Sequence, residues 1–456
     1  MFFNLKNSLP FLLIATSIRS GQEDVVWAKM GKAMRHRYLI LSCSFTLFLL
    51  LLTSILSYGQ SYRPLRAELD EIARRTLWKK GPFRFYPILG IRFGYDSNVY
   101  YQHEISEPIS DYMAVFPAEI NAHFIHKNRL ILSLTWNPEY VFYFTEKRER
   151  RWNNTISPEF KLRLLKQLVL SGGYSYSNRR RRPSSEFDVR ANEIIRAYNG
   201  GLFFDSGWKT SLGFIGSIRN ISYEDITDPG EEIYLSRDLN REEKNGGLEF
   251  YYRVLSKSYF FISGGYTEYD FEYIESSWRD SYSYQVYSGI RFPILGKIRG
   301  TLSLGYKELV PRSREKTGFS GLVGNTSLDF RLRRFGFRLN YISDVYFSYW
   351  TNSVFFNEDR YGAGASFYPT KFLRVDYNFS YGEARYPEPV LQSMPDGSSE
   401  ERYRKDIYRT HSAGIVFRII KNTGIGLTVN WWERQSNFIR ENRNWGFVGM
   451  YLTYDF

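Results

Sequence analysis

The sequence predicts an all-β protein, a transmembrane antiparallel up-and-down β-barrel of about eighteen strands. Three observations lead there. Period-two segments follow one another from Phe85 to the end of the chain, short turns alternate with long polar loops, and the last strand carries an apolar residue at every second position up to Phe456.

Composition fits that architecture. Aromatic residues make up 18% of the 456 residues, with 37 Tyr against 6 Met, and the mean hydropathy of −0.40 is too polar for a bundle of membrane-spanning helices. A barrel strand alternates lipid-facing apolar with lumen-facing polar residues, so average hydropathy stays low while Tyr, Trp and Phe collect at the two membrane interfaces. The formal charge of +13 would suit nucleic acid, but the basic residues are spread over strands and loops rather than gathered on one helix or arm. An exported chain is also kept away from nucleic acid, so no such partner is expected.

The chain divides into four parts. From Met34, Arg35-His36-Arg37 precedes an uncharged apolar run from Tyr38 to Leu56 and then Ser57-Tyr58-Gly59, the order of a signal peptide over residues 34–59 with cleavage after Gly59. A transmembrane anchor is the competing reading of that run. Residues 1–33, with a second apolar run at 9–18 followed by Glu23-Asp24, read as an overextended start, the true one being Met30 or Met34. The one cysteine, Cys43, falls in the targeting segment, which leaves a mature chain with neither disulfide nor thiolate metal site. Residues 60–84 are a periplasmic segment in which Leu65, Leu69 and Ile72 predict a short amphipathic helix before Gly81-Pro82. Such a helix sits at the barrel mouth or is a solvated leader.

The barrel proper is expected over residues 85–456. Short turns fall near 126–128, 165–167, 205–207, 256–257, 295–296, 334–335, 369–370 and 421–422. Longer connections are expected at 98–111, 146–151, 177–192, 223–240, 272–280, 308–320, 350–357, 383–404 and 434–443. Each strand with its share of connection then averages about 21 residues, enough for a spanning strand of ~9–11. Within strands the dyad is clear: Leu373, Val375, Tyr377, Phe379 and Tyr381 oppose Arg374, Asp376, Asn378 and Ser380, and Ile425, Leu427, Val429 and Trp431 oppose Gly426, Thr428 and Asn430. A soluble propeller or solenoid would alternate too, without the asymmetry of connection length.

Phe456 closes a stripe of Tyr454, Leu452, Met450 and Val448, which resembles the terminal signature read by the outer-membrane assembly machinery. The opening segment Leu89-Gly90-Ile91-Arg92-Phe93-Gly94-Tyr95-Asp96-Ser97-Asn98-Val99-Tyr100, with its aromatic-Asp-x-Asn stretch, resembles the first strand of the outer-membrane β-barrel porin type two family. That resemblance implies a porin-like pore, often accompanying an exopolysaccharide export system.

Catalysis finds little support. An outer-membrane hydrolase needs a nucleophile beside a base, commonly histidine. His36 leaves with the signal, His103 lies in a loop, His123 and His126 fall at a periplasmic turn, and His411 and Ser412 point to opposite faces of one strand. The acidic stretch Asp225-Ile226-Thr227-Asp228 with Glu231-Glu232 reads as a solvated loop rather than a metal site. No cofactor is expected.

The arginines and lysines offer the sharper idea. Lys161, Arg163, Arg299, Arg331, Arg338, Arg374 and Arg418 all take lumen-facing parity near periplasmic turns, where a ring of like charge would favour anions. The competing reading pairs them with Glu159, Asp329 and Asp376 in a ladder bracing the wall. A second basic group, containing Lys147-Arg148, Arg150-Arg151, Arg179, Arg180, Arg181, Arg182, Arg312, Arg314, Lys316, Arg402 and Arg404-Lys405, belongs to the long loops. There it would meet lipopolysaccharide phosphates or simply be solvated. The functional expectation is a pore for passive diffusion or export of hydrophilic, anionic solutes or polysaccharide. A structural or adhesive barrel with a plugged lumen, or an outer-membrane enzyme, are the alternatives.

Overall fold

The computed structural model describes residues 65–455 apart from 103–106, 183–185, 187–189, 207–208, 229–230, 256–257, 293–297, 350–352, 394–398, 421 and 439–440. The signal segment, the disputed start, His103 and Phe456 therefore lie outside the described residues. Eighteen strands form one closed antiparallel barrel. In chain order they are β1 (Phe83–Asp96), β2 (Asp111–His126), β3 (Leu130–Tyr143), β4 (Arg151–Arg163), β5 (Leu168–Arg181), β6 (Ala191–Asp205), β7 (Thr210–Tyr223), β8 (Arg241–Leu255) and β9 (Ser258–Phe271). They continue as β10 (Ser281–Phe292), β11 (Ile298–Pro311), β12 (Phe319–Leu332), β13 (Phe335–Phe347), β14 (Phe355–Phe367), β15 (Leu373–Ser393), β16 (Ser399–Ile420), β17 (Thr423–Ser436) and β18 (Arg443–Asp455).

Every strand pairs with its sequence neighbours, and β1 pairs with β18 to close the ring. Closure satisfies the backbone groups that an edge would leave bare in hydrocarbon. Strand ends bracket all eight expected short turns. Two long connections differ: within 177–192 strand β5 runs to Arg181 and β6 begins at Ala191, and within 383–404 strands β15 and β16, of 21 and 22 residues, run on in register to Ser393 and from Ser399, beyond the length a membrane needs. At the base of this second extension Lys405 Nζ of β16 lies 2.9 Å from Glu383 of β15, and Arg385, on the same strand as Glu383, reaches that carboxylate at 2.5 Å.

The alternation of exposure matches the two faces. Leu89, Ile91, Phe93 and Tyr95 of β1, Ile425, Leu427, Val429 and Trp431 of β17, and Val448, Met450, Leu452 and Tyr454 of β18 are exposed, as lipid-facing residues of an isolated chain must be. Leu452 pairs with both Ile91 and Ile425, and Tyr454 with Leu89 and Thr423.

The seam between β1 and β18 is built by the aromatic-Asp-x-Asn stretch. Asp96, almost fully buried, accepts hydrogen bonds from Trp445 Nε1 (2.8 Å), Tyr143 Oη (2.8 Å) and the Asn98 backbone N–H (3.2 Å). Ser97 exchanges two bonds with Gly446, and Asn98 Nδ2 donates to the Asn444 carbonyl at 3.0 Å. Lower on the seam Gly94 opposes Gly449, and the Phe447 ring fills the space where a Cβ of either would stand.

Ahead of the barrel, helix α1 (Leu65–Arg75) lies inside the periplasmic mouth. Leu65 and Ile72 are buried against Ile131, with Leu69 and Ile125 packed beside them. Ile125 and Ile131 are a cross-strand pair on the lumen side of β2 and β3, so the wall supplies an apolar landing for the helix. Each side chain buried there contributes roughly 1.5–3 kcal/mol. Glu68 in the first helical turn forms an ion pair with Lys161 on the lumen face of β4. The tether back to β1 turns at Gly81, whose φ of 57° only glycine adopts without strain, and Trp78–Lys80 pairs antiparallel with the start of β1.

Two outcomes follow from this architecture. Asp96→Ala strips the partner from three donors and from Arg190, and is expected to cost about 3–5 kcal/mol, read as a lower urea midpoint of the refolded barrel. Ile72→Asp sets a carboxylate in the apolar landing and is expected to detach α1. Single-channel steps larger than the parent's would follow, whereas unchanged steps would mean that the helix does not limit the pore.

Candidate functional site: the lumen

Near the periplasmic end, strands β11 to β18 enclose a cavity of about 660 Å3 lined by Arg299, Arg331, Arg338 and Arg374 and by two carboxylates, Asp329 and Asp376. Cross-strand register explains the gathering. Arg299 faces Asp329, Asp329 faces Arg338, and Arg331 stands one dyad below. Arg338 Nε donates to Asp329 at 2.8 Å and Arg299 reaches the other oxygen at 3.8 Å. Arg374 Nε donates to Asp376 at 2.7 Å. Arg331 has no ion-pair partner among the described residues and lies 5.3 Å from the Tyr368 ring centroid. Ser366, Asn378, Ser412 and Thr428 complete a wet wall.

The two readings of these cations are thus both visible in the geometry: three arginines share two aspartates, and a fourth does not. The side chains of Arg299, Arg338 and Arg374 are 77%, 58% and 46% exposed, so their ion pairs are screened by lumen water and are worth about 0–1 kcal/mol each. With four arginines against two aspartates the cavity keeps a net positive charge.

The other three expected ring members stand elsewhere. Lys161 is engaged by Glu68 of α1, a use the strand pattern could not show because the partner comes from outside the barrel. Arg163 keeps lumen parity at the end of β4, paired in register with Val169. Arg418 is exposed at the irregular end of β16, outside the cavity.

At the extracellular end the loops turn inward. Helix α2 (Leu235–Leu239), in the β7–β8 connection, buries Leu235 and Leu239 against Ala191, Ile221 and Tyr223, and Tyr349 from the β13–β14 connection packs on the same cluster. Arg279 of the β9–β10 connection, 1% exposed, joins them by donating to the carbonyls of Asp238 (3.1 Å) and Tyr349 (2.8 Å). Burial pushes its guanidinium down to about 10. Glu186, from the β5–β6 connection, accepts bonds from Ser348 Oγ at 2.7 Å and the Tyr349 N–H at 2.8 Å. Burial raises the Glu186 carboxyl, and nearby Arg404 opposes that shift. Segments far apart around the ring therefore meet across the mouth.

Of the basic group expected in long loops, Lys147, Arg148, Arg150, Arg312, Arg314 and Lys316 lie in connections, whereas Arg151, Arg179 to Arg181, Arg402, Arg404 and Lys405 are on strands, which is the main correction. Strand β5 runs to Arg181, so Arg179, Arg180, Arg181 and Arg182 line a second cavity of about 380 Å3 inside the mouth. Arg180 pairs with the wholly buried Glu149 at 2.7 Å, Arg181 pairs with Glu193, and Arg182 lies over the rings of Tyr101 (4.4 Å) and Trp432 (4.6 Å). Arg404, also expected in a loop, is buried on β16 with Asp406 at 2.7 Å and Glu441 at 3.3 Å. Loop length in the sequence gave no hint of direction, and an inward loop has the same composition as an outward one.

Several lumen residues escaped the sequence reading. Arg92 and Arg190 line the mouth cavity. The strand alternation of β1 already gives Arg92 its lumen parity, so the signal for it was present. Arg190 and Glu149 become site residues only through loop packing. Among the histidines, His123 Nδ1 meets Ser133 Oγ at 2.8 Å on the lumen face, while His411 contacts Tyr377 Oη at 2.8 Å and the Trp431 ring on the lipid face. Ser412 instead donates to Asn430. Asp225 of the acidic loop accepts from the backbone N–H and hydroxyl of Ser236.

Comparison with solved structures finds several similar chains. The crystal structure of Pseudomonas aeruginosa OpdQ shares 10% identity, with 82% of this chain and 97% of that one covered at a TM-score of 0.45. Acinetobacter baumannii OccAB2 gives 11% identity, 82% and 98% coverage and a TM-score of 0.44. The siderophore receptor PirA from Acinetobacter baumannii gives 8%, 83% and 81%, and 0.40. No curated protein matches the sequence. The family described as "Putative beta-barrel porin 2" matches residues 78–453, and the chain accordingly belongs to that family, a porin-like barrel of the bacterial outer membrane.

Proposed function

We propose that the barrel is a passive, anion-preferring diffusion pore without a catalytic cycle. One observation carries the preference: four arginines against two aspartates in a single water-accessible lumen cavity. Charge fixed around a confined path raises the local concentration of counter-ions and biases permeation toward them. The hydroxyl and amide side chains beside the arginines suit hydrophilic solutes, and the family resemblance supports extending the solute class to anionic polysaccharide handed over by an export system.

The location of the chain rests on export by the segment 34–59 and on assembly through the Leu452–Tyr454–Phe456 end, and both belong to this proposal. So do contacts of the outer loops with lipopolysaccharide. A second reading has its own support. The loops that meet across the mouth through Arg279, Glu186 and Tyr349 would suit a plugged structural or adhesive barrel.

Refolded mature protein in planar bilayers separates the two. Large steps with a reversal potential on the anion side support the pore, and no steps from a correctly folded barrel would sink it in favour of the plugged one. Combining Arg331→Gln, Arg338→Gln and Arg374→Gln is expected to move the reversal potential toward zero. Asp329→Asn with Asp376→Asn should move it the other way. Both effects should shrink between 0.1 and 1 M salt, as the screening length falls from ~10 to ~3 Å.

A further inference from the structure

The cavity inside the extracellular mouth is a different place from the periplasmic arginine cluster, and its charges are differently arranged. Glu149 holds Arg151 at 2.8 Å and Arg180 at 2.7 Å. Asp96 is shared by Arg190 (3.1 Å), Tyr143 and Trp445. Glu193 holds Arg181 and the Tyr223 hydroxyl. Arg179 faces Glu193 in register across β5 and β6, yet that carboxylate is already taken. Among the described residues the Arg179 guanidinium has neither an ion pair nor a hydrogen bond, and its Nε is buried. Arg92, on the lumen face of β1, lines the same cavity and likewise has no side-chain partner among the described residues.

A buried guanidinium donor without an acceptor costs free energy that an arriving acceptor recovers. At Arg179 the buried Nε is such a donor, Arg92 adds an exposed cation to the same lining, and arginine's planar fork matches a carboxylate in two parallel bonds. The volume, about 380 Å3, lies at the small end of ligand pockets and takes a metabolite-sized solute rather than a polymer. Asp96 and Glu139 on the lining repel anions, but both are already hydrogen-bonded, Glu139 to Asn153 Nδ2 at 2.7 Å.

We infer that this mouth cavity is a capture site for small organic dianions, one carboxylate taken by Arg179 and the other by Arg92. The inference rests on the reading of the lumen as a solute path but concerns binding, which needs no conduction. Solute held at the outer mouth would be passed inward to the wider arginine cavity, giving the barrel selectivity among anions that a ring of charge alone does not provide.

Isothermal titration of the refolded mature protein in detergent micelles tests it, with succinate as probe, acetate as the single-carboxylate control and inorganic phosphate as the alternative anion. Succinate is expected to bind at least tenfold more tightly than either. Arg179→Gln and Arg92→Gln should each weaken succinate about tenfold or more, while Arg334→Gln, in the β12–β13 turn and on the lining of neither cavity, leaves it unchanged. Heat-modifiable migration on gels confirms that each variant is folded, and Arg179→Lys, which keeps the charge but not the fork, should recover only part of the affinity. Succinate no tighter than acetate, phosphate tighter than succinate, or affinity indifferent to Arg92 and Arg179 would overturn the site. Because bilayer selectivity reads Arg331, Arg338 and Arg374, a failed capture site and a failed anion pore give different results.

Discussion

The structure depends on the hydrogen-bonded junction of its first and last strands. In hydrocarbon an unpaired backbone N–H or C=O costs several kcal/mol, so eighteen strands are stable in a membrane only as a ring. Gly94 and Gly449 let the two end strands approach with Phe447 filling the gap, and Asp96, Ser97 and Asn98 fasten the upper end to Trp445, Gly446 and Asn444. The stretch that carries the family resemblance is therefore a closure device. Its Asp96 also lines the mouth cavity beside Arg92 of the same strand, so closure and the upper lumen share one segment.

Once closed, the ring divides its residues by parity, and the lumen becomes a polar volume set by the odd or even positions of each strand. What fills it is not drawn from the wall alone. From below, α1 spends its apolar face on Ile125 and Ile131 and its Glu68 on Lys161. From above, connections between distant strand pairs meet through Arg279, Glu186 and Tyr349. Between these two ends the arginines of β11 to β15 stay hydrated. The outcome is a channel whose charge is concentrated at two levels and whose ends are furnished by segments outside the membrane-spanning strands.

The two levels differ in how their cations are held. In the periplasmic cavity the ion pairs are exposed and weak, so the charge acts over distance on any passing ion. At the mouth most arginines are sequestered by buried carboxylates, and selectivity falls to the two left over. A field at one level and defined contacts at the other is a division of labour between conduction and recognition, produced by burial alone from the same side-chain type.

The sequence by itself determined the barrel, its strand number and the facing of residues on β11, β12, β15, β17 and β18, because period-two alternation and turn chemistry are local. The lumen parity of Arg299, Arg331, Arg338 and Arg374 was legible for the same reason. Only the tertiary structure decided which cations are free. Lys161 is claimed by a helix about ninety positions earlier in the chain, Arg179 to Arg182 line a cavity inside the mouth, and β15 and β16 run on in register beyond the membrane. Each of these depends on what lies opposite in space, and a linear pattern of polar residues is the same whether the segment faces water, the lumen or another loop.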